Sequence, residues 1–403
     1  MRRVAFVYDD ALSRHVLRPD HPMRPVRLQN TYDLLRGYGA FDQGSSRLVP
    51  PRPATEEELR MLHTPEYIAA VRSFSLGLSG YDPRRFNFSA QGDNPIYRGM
   101  YEAAALSTGA TLVAAELVAS KQVEVAFNIA GGLHHAEPGH ASGFCVFNDP
   151  AIAIKYFLAQ GLRVAYVDID AHHGDGVQHA FYDDPRVLTI STHESGRFLF
   201  PGTGFVAELG TGAGQGYSVN LPLYPYTDDE VYLEAFMAVA PPLLQAFAPD
   251  VLVTQLGIDS YHRDPLTHLQ LTSQGYTAAV RELAGLGIPW LALGGGGYDL
   301  SAVARCWTLA YGVMLDVEWP DELPQGLLRQ QGLDRLRDTE MPQIPAQARQ
   351  DARRYAEESV AGHQAGDFPA ARVVGGSVMQ AASLTGSSAV CCGRVDLSGE
   401  RKE

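Results

Sequence analysis

Six short apolar, β-branched runs recur along this chain, at residues 4–8, 123–129, 164–169, 187–192, 251–256 and 289–293. Each is too short to be a buried helix, and helical patterns lie between most of them. Strand and helix alternating in this way specify a mostly parallel central sheet with helices on both faces. This carries a chemical consequence. Parallel strands all end at one edge, and open α/β folds place their sites there.

Four of the runs end in clusters that a core does not explain. Residues 123–129 lead into Ala130-Gly131-Gly132-Leu133-His134-His135-Ala136, and residues 164–169 into Asp170-Ala171-His172-His173-Gly174-Asp175-Gly176. Residues 251–256 lead into Gly257-Ile258-Asp259-Ser260, and residues 289–293 into Gly294-Gly295-Gly296-Gly297-Tyr298. Asp168, Asp170 and His172 alternate, so they share one side while the chain stays extended. Unpaired charges at the rim of a core are costly, and a bound divalent cation resolves the cost most simply.

Around this frame the elements read in order. A helix is expected over residues 26–38, and two capped helix starts at Thr55-Glu56-Glu57-Glu58 and Thr64-Pro65-Glu66. Residues 73–94 lack periodicity and read as a long surface loop. Helical patterns follow at residues 95–120, 149–159, 227–247 and 272–286. We expect a catalytic unit over residues 1–325, a C-terminal helical extension over 326–360 and a loosely held tail over 361–403.

The formal charge of −14 argues against nucleic-acid binding. No run reads as long enough to span a membrane, and the start lacks the apolar core of a secretion signal. Cys145, Cys306, Cys391 and Cys392 form neither a disulfide scaffold nor a spaced zinc motif. A cytoplasmic protein is the resulting expectation.

Asp170, His172 and Asp259 make a three-ligand set of mixed oxygen and nitrogen donors, suited to zinc, iron(II) or cobalt(II). Three protein ligands leave a position for a water able to attack a carbonyl. His134 and His135 then serve as general base and acid, with Asp168 and Asp175 holding their second ring nitrogens. Tyr298, on a hinge of four glycines, would swing in to stabilise the oxyanion. The glycine run has neither the Lys-Ser/Thr of a phosphate loop nor dinucleotide-loop spacing. The remaining histidines read as structural or surface residues.

Taken together, these stretches resemble the zinc-dependent histone deacetylase family, in particular its class I branch and bacterial acetoin-utilisation relatives. The resemblance spans about residues 1–325 and also includes His21-Pro22-Met23-Arg24-Pro25, Ser142-Gly143-Phe144-Cys145, Phe200-Pro201-Gly202-Thr203-Gly204 and Ala304-Arg305-Cys306-Trp307-Thr308. It implies the three-layer arginase/deacetylase fold and hydrolysis of N6-acetyl-lysine in proteins, with acetylated metabolic enzymes such as acetyl-CoA synthetase as targets.

The resemblance further implies metal ligation by Asp170, His172 and Asp259, with catalysis by His134, His135, Asp168, Asp175 and Tyr298. Gly143, Phe144, Phe200 and Leu266 would line a tunnel for the acetyl-lysine stem, and Asp93 would hold the substrate backbone. A structural potassium ion would use Asp168, Asp170, His172, Ser191 and Thr192. A second would lie near Phe181, Asp184, Val187 and Tyr217. Pro265 replaces the basic inositol-phosphate residue of corepressor-bound members, which argues against such a partner. Leu266 replaces the acidic gatekeeper of acetylpolyamine hydrolases, which disfavours small acetylated amines. The intact polar set disfavours a non-catalytic acetyl-lysine binder.

Overall fold

The computed structural model describes residues 2–42, 44–324 and 335–364. Its strands are β1 (Val4–Val7), β2 (Ser46–Val49), β3 (Val125–Asn128), β4 (Val164–Asp168), β5 (Val187–Glu194), β6 (Ser218–Leu223), β7 (Val251–Gln255) and β8 (Trp290–Leu293). They form one eight-stranded sheet in the order β2-β1-β3-β8-β7-β4-β5-β6, with every pairing parallel. The expected mostly parallel sheet is wholly parallel among the described residues. Residues of β1, β3, β4, β7 and β8 are buried throughout, as strands covered on both faces must be.

The helices are α1 (Val26–Gly37), α2 (Glu56–Leu59), α3 (Pro65–Ser75), α4 (Met100–Ala119), α5 (Asp149–Ala159), α6 (Asp175–Ala180), α7 (Asp229–Phe247), α8 (Ser273–Gly285), α9 (Leu300–Leu315) and α10 (Ala346–Gln364). One layer packs α3, α4 and α5 together, and the other runs through α1, α9, α8, α7 and α10. Both capped starts are present. Thr55 and Glu58 form a capping box on α2, and the Thr64 side chain accepts from the Tyr67 amide at the head of α3.

The structure differs from the sequence expectation in several places. Strands β2 and β6 were not anticipated; both lie at the sheet edges, and β6 carries Asn220 and Pro222. Proline is tolerated at an edge because one side of the strand has no ladder partner. Residues 73–94 are not a simple surface loop. Phe86 and Phe88 are buried beside Tyr67 and Phe74, so two aromatic anchors pin it without any periodic pattern.

Helix α4 is, contrary to expectation, long and apolar enough to cross a membrane, but it lies mostly buried between the sheet and its neighbouring helices. Apolar surface all round a helix is what a central core position requires. Helix α9 lies outside the expected elements, and nearly every residue in it is buried. Helix α10 continues to Gln364, past the expected boundary at 360. The rest of the expected tail, with Cys391 and Cys392, lies outside the described residues, as does 325–334 at the start of the expected extension.

Candidate active site

The four polar clusters follow β3, β8, β7 and β4, which are consecutive neighbours at the centre of the sheet. Register sets Asp168 at the end of β4 level with Gln255 at the end of β7. Asp170 and Asp259 therefore leave adjacent strands side by side. His172 Nδ1 lies 3.0 Å from Asp170 Oδ1 and 2.9 Å from Asp259 Oδ2. One donor atom from each of the three residues falls within 4.8 Å of the others, and all three residues are buried.

Backbone and side-chain donors hold the oxygens that face away from this point. Asp170 Oδ2 accepts from Gln255 Nε2 (2.6 Å) and from the Gly296 amide (2.7 Å). Asp259 Oδ1 accepts from the Ala171 amide at 2.7 Å. What remains is two carboxylate oxygens and an imidazole nitrogen converging on one buried point. That donor set fits a divalent cation, which also relieves the repulsion between the two acids.

Beside it stand two histidines, each backed by a carboxylate. His134 Nδ1 donates to Asp168 Oδ2 and His135 Nδ1 to Asp175 Oδ1, both at 2.7 Å. Their Nε2 atoms are 3.0 Å apart, and that of His134 is 4.0 Å from Asp170 Oδ1. Burial alone would lower the pKa of His134, but Asp168 and then Asp170 override it and raise the imidazole to about 9. His135 is instead lowered, first by burial and then by the positive charge of His134. The two rings are thus pushed in opposite directions, His134 toward its charged form and His135 toward its neutral one.

The aromatic walls follow. Gly143 and Phe144 both adopt left-handed backbone, with φ of 47° and 69°. A Cβ at Gly143 would strike the His135 ring and crowd Phe200, so only glycine fits between them. The Phe200 ring lies 5.1 Å from that of His135, and Phe144 meets Tyr298 edge-on at 5.8 Å. Tyr298 does not sit on a free hinge. Gly295 has a φ of 138°, and a Cβ on Gly296 would collide with the Asp259 carboxylate, so the glycines form a packed turn. Burial, then Asp259 and Asp170, holds the Tyr298 phenol well above its ordinary pKa.

The remaining expected residues are distributed around this centre. Leu266 is half-buried, and Asp264 ties it to the tyrosine by accepting from the amides of both Leu266 (2.9 Å) and Tyr298 (2.8 Å). The Asp93 side chain is exposed at the rim. Its carbonyl accepts from His21 Nε2 at 3.1 Å, and His21 packs on Phe144. In the proposed potassium region, Ser191 pairs across from Asp168, but its hydroxyl is 2.8 Å from His193 Nδ1. In the second, the Asp184 carboxylate is engaged by Arg186 at 2.6 Å, and the carbonyls of Phe181, Asp184 and Tyr217 each accept a backbone amide.

Several contributors were missed in the sequence. Gln255 donates to Asp170, and its only sequence signal is an amide ending an otherwise apolar strand. Asp149 accepts from the amides of Gly132 (3.0 Å) and Leu133 (2.9 Å), and Asn148 donates to the carbonyls of His134 (3.1 Å) and Ala136 (2.9 Å). Asp149 opens the helix expected over 149–159, and Asn148 lies just outside it. Arg27, buried, donates to the Gly297 carbonyl at 3.0 Å.

A wholly parallel sheet with its polar residues gathered at the strand ends defines an α/β protein, and its structural relatives place it in the arginase/deacetylase fold. Its fold matches a crystal structure of an HDAC homolog from Aquifex aeolicus at a TM-score of 0.80 and 30% identity, covering 89% of this chain and all of that one. Residues 21–314 match the histone deacetylase domain, and the chain belongs to the histone deacetylase family. It is 44% identical to the acetoin utilization protein AcuC of Bacillus subtilis over 332 residues, 80% of this chain and 85% of that protein. It is 40% identical to human histone deacetylase 1 over 324 residues, 80% of this chain and 67% of that protein. The family is metal-dependent, and Asp170, His172 and Asp259 are the group among the described residues suited to hold the ion.

Proposed function

We propose that this protein is a cytoplasmic, metal-dependent hydrolase of N6-acetyl-lysine in proteins, releasing lysine and acetate. Acetylated metabolic enzymes, acetyl-CoA synthetase among them, are the proposed substrates, by analogy with the acetoin-utilisation relative. The observation that carries this reading is the placement of two carboxylate-backed histidines directly against the Asp170–His172–Asp259 cluster.

A zinc, iron(II) or cobalt(II) ion held by Asp170, His172 and Asp259 would polarise the amide carbonyl and acidify a water. The chain's own residues do the rest. In place of the expected division of base and acid between His134 and His135, their opposite shifts favour His135 for both roles. It takes the proton of the attacking water and returns it to the leaving lysine nitrogen. Asp175 fixes its tautomer, and Asp168 favours the positively charged form of His134 beside the developing negative charge. Tyr298, held as a neutral phenol, donates to the carbonyl oxygen as charge builds there. Phe144 and Phe200 flank the lysine stem and bury apolar area worth roughly 25 cal/mol per Å².

Asp93 at the rim would accept from substrate backbone amides, which favours peptides over free amines. Leu266 offers no charge to pair with a polyamine. Potassium ions at two places, one around Ser191 and Thr192 on β5 beside the end of β4 and one around Asp184, complete the proposed cofactor set. The proposed catalytic unit is residues 1–325.

Acetyl-lysine peptides incubated with the zinc-loaded protein should release acetate, and Tyr298→Phe should abolish the release. A variant with full turnover would overturn the mechanism, and faster turnover of acetylpolyamines than of peptides would overturn the substrate class.

A further inference from the structure

Helix α10 lies beyond the residues that match the deacetylase domain, yet it reaches the substrate side of the molecule. It first closes the open edge of the sheet. Ser359 Oγ donates to the Pro222 carbonyl at 2.7 Å, and His363 Nε2 donates to the Asn220 carbonyl at 2.6 Å. Alternate residues of an edge strand point their carbonyls outward, and these two would otherwise face solvent unpaired. Arg349 and Arg353 add ion pairs to Asp228, Glu230 and Glu234 on the α7 side. These pairs are exposed and contribute little each.

The contact that bears on the site is Tyr355. Its hydroxyl lies 2.8 Å from Ser195 Oγ, immediately after β5, where the loop carrying Phe200 begins. Ser195 is fully buried, and its carbonyl accepts from the amides of Phe198 (2.9 Å) and Leu199 (3.2 Å), so it anchors the first turn of that loop. The Tyr355 ring packs 5.7 Å from Tyr224, which in turn meets Phe198 edge-on at 5.0 Å. Further along α10, Gly362 comes so close to Val206, on the far side of the loop, that a Cβ would collide with it. One helix therefore grips both ends of the segment that presents Phe200 to His135.

We propose that α10 is a positioning element of the site, with Tyr355 holding the Phe198–Phe200 loop and so setting the grip on the substrate's stem. Tyr355 touches no reacting atom. The inference rests on the deacetylase reading for its substrate but on geometry alone for the loop.

The test is Tyr355→Phe in the full-length, metal-loaded protein, alongside Ser195→Ala and the double variant. Loss of one neutral hydrogen bond should raise KM for an acetyl-lysine peptide about threefold to tenfold while kcat stays within about twofold. Amide hydrogen exchange over residues 196–205 should quicken while 346–364 stays protected, and the double variant should be no worse than either single one. Unchanged exchange in the loop, or additive effects of the two changes, would overturn the proposal. Faster exchange with an unaltered KM would overturn the link to substrate. A wild-type protein without turnover would strike the functional reading instead, and the exchange measurement would still decide whether Tyr355 positions the loop.

Discussion

The floor of the site and its rim are built on opposite principles. On the floor, Asp168, Asp170 and Asp259 are essentially inaccessible; Asp168 and Asp170 are each held by several donors, and Asp259 by the Ala171 amide. At the rim, Phe200 is 44% exposed and Phe198 45%, and the loop that carries them is held from outside by α10. Buried charges survive only when every lone pair is satisfied, so the floor admits one geometry. Apolar walls have no such demand and can be adjusted by distant contacts. The lesson is a division of labour in which the floor governs turnover and the rim governs substrate grip.

Replacing a floor ligand should separate the two most sharply. Asp259→Asn should lower kcat/KM on the order of a thousandfold and deplete bound metal, as mass spectrometry would report. Retained metal and turnover would break the comparison.

The support of the floor extends to His63, whose Nδ1 donates to the Glu137 carbonyl and whose Nε2 accepts from the Asn148 amide, each at 3.0 Å. Burial lowers its pKa to about 4, against an ordinary 6.5. The unfolded chain therefore binds more protons between those values, and stability should be full above pH 6.5 and fall as pH drops toward 4. The loss should be about 3 kcal/mol. Urea melts of His63→Gln, which lacks this titration, should show a correspondingly flatter pH dependence over the same window.

Gln255→Leu removes one donor from Asp170 and nothing from the walls. It should cost about 10- to 100-fold in metal affinity or kcat, with KM little changed. The smallest effect is expected at the rim, where Phe200→Leu should raise KM about threefold and leave kcat within about twofold. A kcat loss at Phe200 as large as that at Gln255 would erase the distinction.

How much of this was legible in the sequence follows the same line. The acids and histidines of the floor announce themselves because ionisable residues directly after a buried strand have no structural excuse, and Asp170, His172, Asp259, His134 and His135 meet as their spacing implies. Gln255 and Asp149 escaped notice because a lone amide at a strand end and an acid at a helix start have ordinary local explanations. The edge strands escaped because arginine in the half-exposed β2, and asparagine and proline in the buried β6, interrupt any apolar run.

By itself the sequence determined the alternation of strands and helices, the chemistry available after each strand and the family. Only the tertiary structure decided that β3, β8, β7 and β4 stand next to one another, that the glycine turn before Tyr298 is packed, and that α10 reaches round to the Phe200 loop. Parallel strands are joined by long crossovers, so their lateral order depends on contacts between residues far apart in the chain, and no local pattern encodes it.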